Sequence, residues 1–144
     1  MPLNPNISRF IREHLDDNPD QLLWKKNDYP DNRVVIAVEQ IQARENIKDK
    51  IPSWYACRDI FYPSKLSTEQ CSSETTALYK SRLATGDSLC DLTGGLGVDT
   101  YFFSRQVGKV TYAARDELYC ESAPSNFRAL GATTTDVVHA YAPT

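Results

Sequence analysis

The sequence predicts an α/β protein in which an N-terminal helical region is followed by the first half of a doubly wound parallel sheet. Two observations support this prediction. Up to residue 85 the apolar residues recur at helical spacing, whereas after Gly86 short apolar runs alternate with segments of helix length. Strands that alternate with helices in this way indicate right-handed crossovers and a parallel sheet. We therefore predict a helical region over 1–85 and a sheet domain over 86–144.

The N-terminal region contains signals for several short helices. Apolar residues at i, i+3, i+4 and i+8 predict a first helix over about residues 5–16. A second short helix is predicted after Asn18, an N-cap residue that is followed by a proline in the first turn. The segment RVVIAV and the polar, helix-favouring residues after it predict a third helix, and Pro52 begins another short turn.

Two further segments complete the helical region. SWYACRDIFYP, residues 53–63, is interpreted as a packing centre of aromatic side chains rather than as a stacking platform for bases. CSSETTALYKSRLATG is the best-marked helix of the chain. It has a serine N-cap at Ser72 or Ser73, an acid at Glu74, basic residues in its last turns, and Gly86 as a C-terminal stop.

After Gly86 the pattern becomes that of a Rossmann-like fold. The predicted strands are SLCDL, KVTYAA and DVVHAYA, and the predicted helices between them are VDTYFFSRQ and ELYCESAPSNFRAL. Pro124 lies inside the second of these helices, where a proline removes one backbone hydrogen bond and costs on the order of 3 kcal/mol. We therefore expect that helix to be kinked or to start late.

Composition excludes several classes of protein. The chain has 144 residues, a net charge of −3 and a pI near 5.3. No apolar run approaches the roughly 20 residues that span a bilayer, and the N-terminus lacks the pattern of a secretory signal, so we predict a cytoplasmic protein without membrane contact. The acidic balance means that the chain lacks the basic surface with which a domain binds nucleic-acid phosphates.

Cysteine and histidine spacing argues against a metal site. The four cysteines form no C-x-x-C pair, and the two histidines, His14 and His139, are far apart in the sequence. Zinc sites and dense disulfide frameworks both need closer spacing. We therefore predict free, mostly buried thiols and no bound metal.

The segment CDLTGGLGVD, residues 90–99, occupies the first strand-to-helix turn, where glycine-rich backbone contacts the ligand in doubly wound folds. Three cofactor classes compete for such a turn. A triphosphate loop needs a lysine directly after the glycines, and none is present. The dinucleotide pattern G-x-G-x-x-G can begin at Gly95 and Gly97, but Thr100 then stands where a small residue is wanted.

The third class of cofactor is S-adenosylmethionine. Asp91 followed by x-T-G-G-x-G resembles the first motif of class I S-adenosylmethionine-dependent methyltransferases. A carboxylate at the strand end suits the positive methionine end of this cofactor, which has no pyrophosphate to neutralise. The resemblance implies that the cofactor is bound by Asp91, Thr93, Gly94, Gly95 and Gly97.

The similarity extends beyond this turn, over about residues 4–140. The segments LSTEQCSSETTALYKSRL, DLTGGLGVDTYFFSRQ, VTY, RDELYC and NFRALGA resemble a bacterial group of RNA methyltransferases. That group combines an N-terminal helical region, a Rossmann-like methyltransferase domain and a C-terminal THUMP-like domain. The resemblance implies methyl transfer to an RNA base, places Ser72 near the open edge of the cofactor, and assigns RNA binding to regions outside this chain.

Two positions depart from the pattern of this group. The acid that holds the ribose hydroxyls is replaced by Ala114, and Asp116, two residues later, is the candidate substitute. At the end of the third strand, where an acid commonly accepts from the adenine amino group, the chain has Tyr141, whose ring could still pack on the base. These departures leave the methionine end of the site intact and weaken the adenosine end.

The number of strands raises a further question about function. The three predicted strands are fewer than a class I domain contains, so we expect a fragment of a longer protein or a chain that dimerises through its open sheet edge. No catalytic residue can be assigned. The leading interpretation is the N-terminal portion of an RNA methyltransferase. The alternatives are a truncated or degenerate Rossmann-like module that acts as a non-catalytic interaction domain, and a dinucleotide-dependent oxidoreductase.

Overall fold

The structure, a computed structural model, describes residues 4–92 and 95–140. The helices in these ranges are α1 (Pro5–His14), α2 (Pro19–Leu23), α3 (Arg33–Ile47), α4 (Pro52–Tyr55), α5 (Lys65–Gln70), α6 (Glu74–Arg82), α7 (Val98–Ser104) and α8 (Glu117–Ala129). The strands are β1 (Ser88–Asp91), β2 (Lys109–Ala114) and β3 (Thr135–His139). Every helix within the described ranges is too short or too polar to cross a membrane.

The three described strands form one parallel sheet in the order β1-β2-β3. Asp91 at the end of β1 is paired with Tyr112 of β2, and Ala114 at the end of β2 is paired with His139 of β3. The carboxyl ends of the strands therefore lie along one edge of the sheet, so the turns that follow β1 and β2 are neighbours. The predicted fold class is confirmed: helices precede the first half of a Rossmann-like sheet.

The predicted N-caps of two helices agree with the structure, and one predicted C-terminal stop does not. Asn18 accepts hydrogen bonds from the backbone nitrogens of the first turn of α2, as predicted. Helix α6 is capped by Ser73, whose hydroxyl accepts from the Thr76 nitrogen at 3.2 Å. This helix ends at Arg82, so the prediction that Gly86 stops it is wrong. Gly86 lies beyond the last turn and has φ +101°.

Helix α5 was not anticipated from the sequence. Its residues, KLSTEQ, are mostly polar and lack an apolar stripe, so hydrophobic periodicity gives no signal there. The helix begins at a local cap, because the Ser64 hydroxyl accepts from the Ser67 nitrogen at 3.0 Å. Its position is secured from α3, where the Asn46 amide donates to the Thr68 hydroxyl at 3.1 Å.

Helix α8 begins at Glu117 and continues through Pro124 to Ala129. Of the two expected outcomes, the late start is therefore wrong, and a kink at Pro124 stays a prediction. Asp116 caps this helix, which stabilises its beginning and offsets part of the cost of the proline.

The cysteines also differ in part from expectation, because all four are free but Cys90 is exposed and the other three are half-buried.

One cluster of the hydrophobic core contains residues from both sides of residue 86. Trp54, Ile47 and Tyr62 of the helical region pack with Val98 and Phe102 of α7, and all five are buried. The sheet has its own cluster, in which Tyr112 and Ala114 pack against α8. The division of the chain into two domains at residue 86 stays a prediction, and the core is shared between the two segments.

Two buried amide side chains hold the aromatic segment by its backbone. Gln40 of α3 donates to the Tyr62 carbonyl at 2.8 Å and accepts from the Tyr62 nitrogen at 2.9 Å. Asn126 of α8 does the same for Phe61, with both hydrogen bonds 2.8 Å long. Because Phe61, Tyr62 and Trp54 are buried, the interpretation of this segment as a packing centre is confirmed.

Tyr62 leads to a prediction about alkaline stability. Its hydroxyl is buried and has no hydrogen-bond partner among the described residues, and this burial raises the pKa of Tyr62 above its usual range. Above about pH 10 a tyrosine ionises in the unfolded chain but not here, so the free energy of unfolding should fall as the pH rises. In the Tyr62→Phe variant this decline should be smaller, and stability at neutral pH should be equal or higher by up to about 1 kcal/mol.

Urea unfolding at pH 7 and at about pH 10.5 checks this prediction. Tyr79→Phe is the matched control, because Tyr79 is exposed and its replacement should leave the pH dependence unchanged. Burial also raises the pKa of Tyr112, so part of the decline should persist in both variants. A Tyr62→Phe protein with the alkaline decline of the original chain would contradict the argument.

Candidate functional site

A cavity of about 350 Å³ lies beside the turn that follows β1. One wall is formed by Ser67, Gln70, Cys71 and Ser72 together with Lys80 of α6, and the other by residues 95–97 of the glycine turn and the first two residues of α7, Val98 and Asp99. Tyr119 of α8 also lines the cavity. Ligand-binding clefts are typically of this size or larger, at roughly 300–1,000 Å³. In doubly wound folds ligands bind beyond the carboxyl ends of the strands, which is where this cavity is found.

The glycine turn has a conformation that requires glycine. Gly95 has φ +67° and Gly97 has φ +97°, both in the left-handed region. At Gly97 a Cβ atom would also lie 3.0 Å from Cζ of Phe127, so a side chain there would meet the ring. The hydroxyl of Tyr112 donates to the Gly95 carbonyl and so fastens the turn to β2. The predicted site residues Thr93 and Gly94 lie outside the described residues.

Asp91 occupies the end of β1 as predicted, but it faces the protein interior. It is buried, and its Oδ2 accepts a hydrogen bond of 2.7 Å from the hydroxyl of Thr100, which is itself fully buried. Asp91 is not among the described residues that line the cavity. Thr100, which breaks the dinucleotide pattern, therefore connects α7 to the end of β1.

Ser72 lies in a small polar cluster on the cavity wall. The Lys80 ammonium donates to the Ser72 hydroxyl at 2.9 Å and to Oδ2 of Asp99 at 3.2 Å, and the Ser72 hydroxyl lies 3.4 Å from the same Asp99 oxygen. Asp99 was not among the predicted site residues, and Lys80 was one of the basic residues predicted for the last turns of its helix. The signal that could have identified Asp99 is its position directly after the glycine turn.

Asp116 has a structural role at the start of α8. Its Oδ1 accepts from the backbone nitrogens of Leu118 at 2.9 Å and Tyr119 at 3.4 Å, and its side chain is exposed. It does not line the cavity, so its contact with a ribose stays a prediction. Ala114 is buried at the end of β2, and Tyr141 lies outside the described residues.

Cys71 and Tyr119 also line the cavity. Burial raises the pKa of the Cys71 thiol above its usual range, which keeps it in the neutral form and argues against a nucleophilic role. The Tyr119 hydroxyl lies 2.8 Å from the Ser64 hydroxyl, so this contact connects α8 with the start of α5. Among residues 4–92 and 95–140, no cluster of three or more metal-ligating side chains is present.

Comparison with solved structures places this geometry in a known context. The chain is similar to the crystal structure of a putative methyltransferase from Porphyromonas gingivalis W83, with a TM-score of 0.79 and 30% sequence identity. The fold is methyltransferase-like. The match covers 92% of this chain and 33% of the Porphyromonas protein, so the chain spans about a third of that protein's length. No family model and no curated protein matches the chain.

In this methyltransferase-like fold the five predicted site residues that the structure describes fall into two groups. Ser72, Gly95 and Gly97 come together around one cavity although the serine is more than 20 positions away in the sequence. Asp91 and Asp116 lie outside the cavity lining and make hydrogen bonds within the protein. A larger cavity, of about 500 Å³, is lined by Leu15, Asp16, Asp17, Pro19, Ile41, Gln42, Arg44, Glu45, Asn46, Tyr55 and Lys65, none of them in the glycine turn.

Proposed function

We propose that the chain is the cofactor-binding N-terminal portion of an S-adenosylmethionine-dependent methyltransferase that acts on RNA in the cytoplasm. The observation that supports the proposal is the cavity beside the left-handed glycine turn, in a chain similar to a methyltransferase structure. The proposed cofactor residues are Ser72, Asp91, Thr93, Gly94, Gly95, Gly97 and Asp116.

The residues of the cavity suit this cofactor in shape and polarity. Gly95 and Gly97 present backbone without side chains on one wall, so an extended ligand can lie close to the turn. Ser72, Lys80 and Asp99 give the cavity the mixed charge that a zwitterionic ligand requires. When bound, S-adenosylmethionine supplies an electrophilic methyl group on a sulfonium centre. The contribution of this chain would be to bind and orient it, which provides much of the rate enhancement in such transfers.

RNA would be bound elsewhere in the complete protein. With a net charge of −3, this chain lacks the excess of basic residues that phosphate binding demands. The Porphyromonas protein is about three times as long as the part that matches, which leaves room for such a region in a protein of that size. Within the described sheet β1 and β3 each pair with one strand, so either edge could receive a further strand or a second copy of the chain.

A non-catalytic interaction domain is the second candidate, and one observation favours it. Ala114 is buried at the end of β2, where the resemblance predicts an acid for the ribose hydroxyls. An alanine cannot accept those hydrogen bonds, so affinity for the adenosine end would be lower unless Asp116 replaces the missing acid.

Calorimetric titration separates these candidates. We expect micromolar binding of S-adenosylmethionine and S-adenosylhomocysteine to the purified chain, and no binding of NAD. A chain that is folded by circular dichroism but binds none of the three would favour the interaction domain. Binding of NAD alone would favour the dinucleotide-dependent oxidoreductase.

A further inference from the structure

We propose that Lys80, Ser72 and Asp99 form the subsite for the amino-acid end of the cofactor, in which Asp99 receives the α-ammonium and Lys80 the α-carboxylate. The inference rests on the proposed function and adds Lys80 and Asp99, which are not among the predicted cofactor residues. It also gives the helical region a direct part in cofactor binding, because Lys80 belongs to α6 and Asp99 to the first turn of α7.

The position of the cluster is the first support for this assignment. All three residues line the cavity, and they approach it from two sides, since Ser72 and Lys80 precede the sheet whereas Asp99 follows the glycine turn. The three polar atoms lie within 2.9–3.4 Å of one another. A ligand held against Gly97 would therefore meet a positive and a negative group side by side.

The hydrogen-bonding capacity of the cluster is the second support. A lysine ammonium has three N–H donors, and Lys80 uses two of them on Ser72 and Asp99. Oδ1 of Asp99 is buried and has no hydrogen-bond partner among the described residues, although buried polar atoms are nearly always paired. One donor and one buried acceptor thus remain, which is the complement of a carboxylate and an ammonium on the same ligand.

A comparison within the protein argues against a purely structural ion pair. Lys109 and Asp136 form such a pair at 3.1 Å between β2 and β3, with both side chains largely exposed. The Lys80–Asp99 pair differs because it borders a cavity and contains the buried, unpaired oxygen. A buried acceptor without a partner costs free energy, so stabilisation of the fold does not account for the placement of this pair.

The experiment compares two ligands that differ only at the amino-acid end. S-Adenosylhomocysteine carries this end, whereas methylthioadenosine keeps the adenosine and the thioether without it. Lys80→Met should weaken binding of S-adenosylhomocysteine by on the order of tenfold to a hundredfold, the range expected for one lost charged hydrogen bond. Binding of methylthioadenosine should change by less than about twofold, well within the change of a single weak contact. Asp99→Asn should show the same selective loss.

Two control variants complete the design. Lys80→Arg keeps the charge and should retain most of the affinity for S-adenosylhomocysteine. Lys109→Met removes a lysine from the comparable pair and should affect neither ligand. Thermal unfolding of every variant identifies any that does not fold. If Lys80→Met does not fold, Asp99→Asn decides the question, and if Asp99→Asn does not fold, Lys80→Met decides it.

Each outcome bears on the inference in a defined way. Selective loss of S-adenosylhomocysteine binding supports it. Equal weakening of both ligands, or no change in either, overturns it and leaves the proposed function standing. If the original chain binds neither ligand, the proposed function fails as well.

Discussion

Replacement of Gly97 by alanine is expected to lower the free energy of unfolding by about 3 kcal/mol, the sum of backbone strain and forced repacking. The strain arises because Gly97 has φ +97°, a conformation that L-residues rarely adopt. The repacking arises because the new Cβ would lie 3.0 Å from Cζ and 3.2 Å from Cε1 of Phe127, whose ring is buried and cannot move away freely.

The same substitution should weaken cofactor binding through the neighbouring rings. Phe127 packs edge-to-face on Tyr112 with 5.7 Å between the ring centroids, and the Tyr112 hydroxyl holds the Gly95 carbonyl. Displacement of the Phe127 ring should therefore disturb the glycine turn at Gly97, beside the ring, and at Gly95, through Tyr112. We expect Gly97→Ala to bind S-adenosylhomocysteine at least about tenfold more weakly, a loss that corresponds to one displaced contact.

Gly86→Ala is the matched control for this experiment. Gly86 has φ +101°, but a Cβ atom there would meet nothing within 4 Å, so the variant carries the backbone strain without the collision. Its cost should be about 1–2 kcal/mol, and its affinity for the ligand should be unchanged. Urea unfolding followed by circular dichroism gives both stabilities. Equal losses in the two variants would contradict the packing argument at Phe127.

Replacement of Asn126 by alanine is expected to lower the free energy of unfolding by about 4 kcal/mol, since two buried backbone groups lose their partners at about 1–3 kcal/mol each. The Asn126 amide satisfies both the N–H and the carbonyl of Phe61, and no water can replace it easily because Asn126 and Phe61 are buried. Gln40→Ala should cost a similar amount through Tyr62, for the same reason.

Gln42→Ala provides the control in the same helix as Gln40. Gln42 is exposed on α3, so its replacement should change the stability by no more than about 0.5 kcal/mol. Because Asn126 and Gln40 hold adjacent residues of one segment, the double variant should lose less than the sum of the two single losses. An Asn126→Ala protein as stable as Gln42→Ala would show that the amide contacts with Phe61 contribute nothing measurable.

Much of the fold could be predicted because its signals are local. The second strand was predicted at its observed bounds, 109–114, and Asn18 was correctly predicted as the N-cap of α2. Helix α5 was missed because its short polar sequence carries no periodic apolar pattern. The late start of α8, one of the two outcomes expected from Pro124, is wrong because the penalty of the proline was weighed without the stabilising cap of Asp116.

In the candidate site, too, the features that could be predicted have local causes, whereas the others depend on contacts between residues that are distant in the sequence. The glycine turn could be predicted because a left-handed backbone depends on the residue itself, and Gly95 and Gly97 are in that conformation. Asp116 is the N-cap of α8 and remains a predicted ligand residue, because an acid after a strand and an acid at a helix N-cap look alike in sequence. The buried environment of Asp91, and its hydrogen bond to Thr100, depend on the packing of α7 against β1.

What the chain encodes locally is therefore the order of its helices and strands and the glycine turn between β1 and α7, since each depends on interactions within a few residues. The contents of the cavity depend on how α6 packs beside α7, which brings Lys80 within 3.2 Å of Asp99 across 19 positions of sequence. No pattern in the sequence indicates that approach, because a lysine near the end of a helix and an aspartate at the start of another are each common for local electrostatic reasons.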